Sequence, residues 1–156
     1  MIQFLVVVAS LSTLLDCCCW RLGAHHPKGP RVAIEIRMAV DSLDWNSLSM
    51  DHSGPSPREG SQAARLVELG TISTDALMEV LEDPHRGFAA HVALSFIWNC
   101  DHAYSAEMHF DEQGKLVSYT QEFDGLSWVS NPGGRESIEL PALRENAKRW
   151  RARLGA

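Results

Sequence analysis

Residues 88–110 read FAAHVALSFIWNCDHAYSAEMHF, and the spacing of their apolar residues changes halfway along. In the first half the spacing of 3, 1, 3, 1 is typical of an amphipathic helix, with its inner face at Ala89, Val92, Ala93, Phe96 and Ile97. In the second half Ala106, Met108 and Phe110 alternate with polar residues, which is typical of a strand. This change from a period of 3.6 to a period of 2 predicts an α+β fold.

The segment that follows predicts an antiparallel sheet. Glu112-Gln113-Gly114 is a turn signal, and residues 115–123 alternate again, so a hairpin is expected over residues 105–123. Asp124-Gly125 predicts a second tight turn, which leads into a third short strand at residues 126–129.

The segment that precedes residue 88 predicts two further helices. Ser56 and Pro57 are expected to cap and open the first helix, and Gly70 is expected to end it. A second helix is expected over residues 75–82, and Asp83-Pro84 should end it and begin the helix that contains Ala89. The sequence therefore predicts a short three-helix bundle beside the sheet.

The chain around this centre is predicted to form one domain, residues 31–156, preceded by a linker at residues 24–30. Apolar residues alternate with Ala, Glu and Arg over residues 32–40, which predicts a half-buried strand, and residues 41–55 have the composition of a loop. Pro141 is expected to open a C-terminal helix with an apolar line at Leu143, Ala147, Trp150 and Leu154.

Charge is distributed unevenly in this chain of 156 residues with a net charge of −6. Residues 31–140 carry 7 Lys and Arg against 18 Asp and Glu, whereas residues 141–156 carry 5 against 1. The basic end is expected to pack on the acidic body; binding of lipid headgroups or of an acidic partner is the alternative. The negative net charge argues against a nucleic-acid partner.

Residues 1–23 form a hydrophobic leader. Residues 1–22 contain one acidic residue, Asp16, and are about as long as a membrane-spanning helix. They predict a helical membrane anchor, and the few flanking cations place the domain in the cytoplasm. The alternatives are a cleaved signal that exports the protein, a buried element of a soluble cytoplasmic protein, and a true start at Met38 or Met50.

Three adjacent cysteines, Cys17, Cys18 and Cys19, end the leader. They are interpreted as apolar filling, with acylation near a membrane and a metal site with His25 and His26 as alternatives. Adjacent cysteines cannot easily surround one ion, so no metal site is predicted there.

Candidate chemistry is confined to Cys100, His102 and His109, with His91 upstream. A thiol and an imidazole together can make a nucleophile, and Cys and His are also zinc ligands. However, His91, Ser95 and Asn99 are expected on the wet face of their helix, and the spacing matches no standard metal site. No nucleophile elbow, phosphate loop or zinc-protease motif occurs in the sequence. The sequence therefore predicts no catalytic, cofactor-binding or metal-binding residue, no cofactor and no small-molecule substrate.

Residues 63–97 resemble part of a HEAT-type helical repeat. The resemblance rests on ARLVELG, ALMEVLEDP and AAHVALSFI within that range. It implies packed helical hairpins that bind a protein, although such arrays usually contain three or more units. The order of leader, helices, hairpin and basic helix also resembles that of small membrane-linked bacterial proteins.

Together these patterns predict a non-enzymatic interaction module that is tethered to a membrane and binds an unspecified protein. The alternative function is a small enzyme or metal-binding protein centred on Cys100, His102 and His109.

Overall fold

The computed structural model describes residues 29–133 and 138–155. Its helices are α1 (Pro30–Asp41), α2 (Gln62–Leu69), α3 (Thr74–Glu79), α4 (Gly87–Ile97) and α5 (Leu140–Leu154). Its strands are β1 (Leu48–Asp51), β2 (Gly54–Pro57), β3 (Tyr104–Phe110), β4 (Leu116–Phe123) and β5 (Leu126–Ser130). The strands form two small antiparallel sheets, so the predicted α+β class is confirmed.

Helix α4 lies at the centre of the molecule. All residues from Gly87 to Ser95 are buried, because α2, α3 and β2 pack around the helix and its side chains also reach β5 and α5. The prediction that His91 and Ser95 lie on a wet face is therefore wrong. A helix that is enclosed on every side needs no polar face, and this one is apolar almost all round.

The larger sheet has the strand order β3-β4-β5, and its register pairs Tyr104 with Phe123 and Gln121 with Trp128. The predicted hairpin and the third strand are confirmed. Asp124 and Gly125 form the tight turn between β4 and β5, with φ angles of 45° and 82°. Positive φ at both central residues suits the right-handed twist of the flanking strands.

The C-terminal helix is also confirmed. Leu143, Ala147 and Trp150 are buried against the rest of the molecule. On the solvent side, Arg151 lies 3.0 Å from a carboxylate oxygen of Glu82. This part of the basic end therefore contacts the acidic body.

Helix α1 occupies the segment in which a strand was predicted, so that prediction is wrong. Ile36 and Val40 are buried, whereas Ile34 is 60% exposed and Met38 is 67% exposed. The apolar residues of this segment fit both periods, and packing against α2 and α3 selects the helical one. Pro30 in the first turn supports the helix, because its missing N–H would have no partner there.

Strands β1 and β2 form a hairpin in the segment that was predicted to be a loop and the start of a helix. Ser56 and Pro57 belong to β2. The helix begins later, where the Ser61 hydroxyl accepts a hydrogen bond from the Ala64 N–H at 3.3 Å. Gly70 ends α2 as predicted.

Two turns connect α3 to α4, where the sequence predicted that one helix would end and the next begin at Asp83-Pro84. Helix α3 is shorter than predicted, and α4 begins three residues after Pro84. The carboxylate of Asp83 accepts the backbone N–H groups of His85 and Arg86. Burial opposes ionisation of Asp83, but hydrogen bonds from Arg86 and from these N–H groups hold its pKa below the usual value.

The predicted leader, residues 1–23, and residues 24–28 of the predicted linker lie outside the described residues. Within the described ranges, none of the helices combines the length and the apolar character that crossing a bilayer requires.

Candidate functional site

His91 belongs to the core of the molecule. Its Nδ1 atom is 2.9 Å from the indole Nε1 of Trp150, and its Nε2 atom is 2.9 Å from the carbonyl oxygen of Phe123. Because an indole N–H can only donate, Nδ1 accepts and Nε2 carries the proton that is donated to Phe123. Burial lowers the pKa of His91 to about 4, so the ring is neutral at physiological pH.

His102 lies between two aromatic rings. Its ring stacks on Phe96 with centroids 4.2 Å apart, and on the other side it lies 6.1 Å from the ring of Phe123. Its Nε2 atom is 3.3 Å from the carbonyl oxygen of Ser95. The imidazole therefore packs as a flat ring that closes the end of α4.

Cys100 is a buried free thiol three residues after the end of α4. Burial is the main reason why the pKa of Cys100 is raised, although the nearby charge of Arg153 acts in the opposite direction. A raised pKa keeps the sulfur protonated, and the thiolate is the form that attacks substrates or binds metals. Among the described residues, no hydrogen bond joins this thiol to a histidine.

His109 lies on β3, where its Nε2 atom is 2.8 Å from the hydroxyl oxygen of Thr120 on β4. This is the side of the sheet opposite to the core, because His109 pairs with Ser118, whereas Tyr104 pairs with the buried Phe123. In the part of the chain that the structure describes, no group of three His, Cys, Asp or Glu side chains could hold a metal ion. His91 and His102 thus both contact Phe123, whereas His109 contacts Thr120 on the other side of the sheet.

A groove lies on another part of the surface, between α3, the end of α4 and α5, and we call it the Trp98 groove. Its volume is about 680 Å³. It is lined by Thr71, Thr74, Asp75, Met78, Glu79, Trp98, Arg151 and Leu154. Apolar side chains from three helices therefore share this groove with a polar margin.

Trp98 is the largest side chain of the groove and is 41% exposed. Its indole N–H donates a hydrogen bond to the hydroxyl of Thr74 at 3.3 Å, which fixes the orientation of the ring. Glu79 at the margin pairs with Arg37 at 3.0 Å. An indole that is held in place but still exposes a large surface is typical of a contact residue for another protein.

Sequence reasoning missed this groove. Trp98 follows the predicted inner face of its helix by one residue, and Met78 lies within the helix predicted over residues 75–82. The sequence does carry one signal. A large apolar residue that lies outside the buried stripe of a helix is expected to be exposed, and exposed apolar residues mark surfaces that bind other molecules. Which elements would approach them could not be predicted, because α5 lies more than forty residues further along the chain.

Two further surfaces expose apolar side chains. A second groove of about 650 Å³ runs beside Ile34 and Met38 of α1. At the far end of the β3–β4 hairpin, Met108 and Phe110 are 58% and 57% exposed. Exposed apolar side chains therefore occur at the Trp98 groove, at the groove beside α1 and at the end of the β3–β4 hairpin.

Comparisons with protein-family models, with curated proteins and with solved structures give no match for this chain. Its function is therefore inferred from its own residues.

Proposed function

We propose that this protein is a non-enzymatic interaction module, tethered to a membrane by residues 1–22, and that the Trp98 groove binds an apolar segment of a partner protein. The observation that carries the proposal is the fixed and exposed indole of Trp98 in a groove of about 680 Å³. Tryptophan in such a position contributes strongly to protein–protein binding, because it buries a large area with little loss of side-chain entropy.

The lining of the groove favours one kind of partner segment. Met78 and Leu154 flank the indole with flexible apolar surface, which can adapt to the side chains of an amphipathic helix. The margin carries Asp75, Glu79 and Arg151, and Glu79 and Arg151 are already paired with Arg37 and Glu82, so the groove selects its partner by apolar surface rather than by charge. We therefore propose a helical segment with one apolar face.

The resemblance of residues 63–97 to a HEAT-type repeat supports the same function. HEAT-type repeats bind proteins through surfaces made by their helices. Most of the groove is lined by residues from this region, together with the adjacent Trp98. We propose that α2, α3 and α4 act as one such unit, with the sheet and α5 packed beside it in place of further repeats.

The tether is proposed from the leader alone, whose apolar length suits a bilayer. It would keep the domain near the membrane, on the cytoplasmic side. A small enzyme or metal protein centred on Cys100, His102 and His109 has less support, because burial raises the pKa of the Cys100 thiol and His109 contacts Thr120 on the side of the sheet opposite to the core.

The groove is tested by photo-crosslinking in cells. A benzophenone amino acid replaces Met78 in the full-length chain, and the matched control carries it at Val129, an exposed residue on β5. We expect the groove position to crosslink one protein through an apolar segment, mapped by mass spectrometry. Trp98→Ala should remove that crosslink. An identical crosslinking pattern from both positions, or a pattern that Trp98→Ala leaves unchanged, contradicts the proposal.

The tether is tested separately by membrane fractionation. The full-length chain is compared with a chain that starts at Lys28. We expect the full-length chain in the membrane fraction after an alkaline wash and the shorter chain in the soluble fraction. Equal distribution of the two chains removes the tether and leaves the groove proposal in place.

A further inference from the structure

Strand β3 is an edge strand, and most of its outer side has no partner among the described residues. The strand order is β3-β4-β5, and none of the backbone hydrogen bonds of residues 105–110 goes to an element other than β4. At the start of the strand, Tyr104 packs close to Gly54 of β2, so the uncovered part begins at Ser105. An exposed strand edge is a template for pairing with another strand.

The hydrogen bonds at the ends of the strand show which residues present their backbone groups outward. Before the strand, the Ala103 carbonyl accepts the N–H of Asp124; after it, the Asp111 N–H donates to the carbonyl of Lys115. Backbone groups alternate in direction along a strand. The backbone N–H and C=O groups of the odd-numbered residues of β3 therefore face β4. Those of Ala106, Met108 and Phe110 point away from the sheet.

We propose that this edge pairs with the same edge of a second copy of the chain, antiparallel, with Met108 on the two-fold axis. In this register Met108 exchanges two backbone hydrogen bonds with its symmetry mate, and Ala106 of each copy exchanges two with Phe110 of the other. The two three-stranded sheets then join into one sheet of six strands, and the exposed side chains of Met108 and Phe110 become partly covered.

Complementarity between a hydrogen-bond donor and an acceptor selects this register and the second copy as the occupant. With Met108 on the axis, Glu107 of each copy lies opposite His109 of the other, as a non-hydrogen-bonded pair whose side chains are close. The Nε2 atom of His109 contacts Thr120, which leaves Nδ1 to donate to the carboxylate. Both Glu107–His109 pairs form at once because the axis relates them.

The neighbouring registers lack this complementarity. An axis at Glu107 places two carboxylates opposite each other. An axis at His109 places Glu107 opposite Asp111 and the two imidazoles opposite each other. Like charges that lie directly opposite destabilise a strand pair, so the edge favours the axis at Met108 over these two.

The test is sedimentation velocity on the full-length, reduced chain in density-matched detergent micelles over a range of concentrations. The key variant is Met108→Pro, because proline removes the outward N–H at this position but takes away no hydrogen bond to β4. Its matched control, Met108→Val, keeps the N–H. We expect a reversible dimer for the wild type and for Met108→Val, and dimerisation weakened about tenfold or more by Met108→Pro.

An exchange of the side chains at positions 107 and 109 checks the register. It also replaces the first test if circular dichroism shows that Met108→Pro does not fold. Glu107→Lys alone and His109→Glu alone should each weaken the dimer. The double variant should restore it, because the introduced ammonium of each copy would then lie opposite the introduced carboxylate of the other. Glu122→Lys on β4 makes the same charge change on the same face, away from the edge, and should leave the dimer intact. A wild-type chain that stays monomeric, a dimer unaffected by Met108→Pro, or failure of the double exchange to restore a weakened dimer overturns the proposal.

Discussion

Helix α4 and the far end of the β3–β4 hairpin belong to adjacent parts of the chain but differ completely in their surroundings. All side chains from Gly87 to Ser95 are buried. Met108 and Phe110 on β3 expose more than half of their surface. The helix depends on contacts from the rest of the fold, whereas the end of the hairpin depends mainly on its own ladder of hydrogen bonds.

This difference distinguishes residues that stabilise the fold from residues that are available to bind another molecule. In the core, a polar group such as the imidazole of His91 is retained because Trp150 and Phe123 satisfy both of its nitrogens. At the hairpin, apolar groups remain without the cover that would make them part of the core. We therefore expect substitutions around α4 to change the free energy of unfolding, and substitutions at the hairpin end to change association.

The largest expected effect compares two phenylalanines of the same sheet. Phe123→Ala should lower the free energy of unfolding by about 3–5 kcal/mol, because it opens a cavity between β4 and α4. Phe110→Ala should lower it by less than about 1 kcal/mol, because the ring is already largely in water. Urea denaturation of both variants measures the difference, and equal losses would show that the hairpin end is as much part of the core as Phe123.

The second effect depends on pH and concerns His91. The imidazole binds a proton near pH 6.5 in the unfolded chain but only near pH 4 in the folded chain. Acid therefore favours unfolding: the contribution of this group is complete above pH 6.5 and is lost as the pH falls from 6.5 to 4. The shift corresponds to roughly 3 kcal/mol.

Denaturation at several pH values measures this loss, and His91→Gln is expected to flatten the pH dependence. If His91→Gln is too unstable, NMR of the wild-type imidazoles gives the answer directly. A His91 ring that titrates near pH 6.5 in the folded protein would show that α4 is not enclosed at this point.

The third effect tests how closely the start of α4 is packed. A side chain added at Gly87 would overlap the backbone carbonyl of Leu81 and press on Leu143. Gly87→Ala should therefore cost about 2 kcal/mol despite the better helix propensity of alanine. Gly29→Ala meets no atom within 4 Å and is the control. Thermal unfolding that ranks Gly87→Ala as stable as Gly29→Ala would mean that the α3–α4 connection can move aside.

Local signals predicted one half of the fold well. The hairpin, its turn at Gly114, the Asp124-Gly125 turn and the helix that begins near Pro141 all depend on short-range chemistry that a few neighbouring residues carry. The prediction for residues 32–40 was wrong because their apolar residues fit two periods, and only packing distinguishes these.

The candidate sites were less predictable than the elements. Cys100, His102 and His109 are close in sequence, but only Cys100 and His102 lie together at the end of α4, whereas His109 contacts Thr120 on the sheet. The groove around Trp98 combines α3, α4 and α5, so no local pattern contains it. Sequence distance is a poor measure of side-chain convergence once the chain has turned from a helix into a strand.

The amino-acid sequence by itself determined the α+β class, the hairpin, the C-terminal helix and the acidic body with its basic end, since these follow from local periodicity, turn chemistry and composition. Only the tertiary structure decided that α4 is enclosed on all sides, that His91 is a neutral core residue, and that the apolar groups of Trp98 and Met108 stay exposed. The reason is physical: the burial of a side chain depends on which distant elements pack against it, and the free energy of the whole core, rather than any local segment, selects that packing.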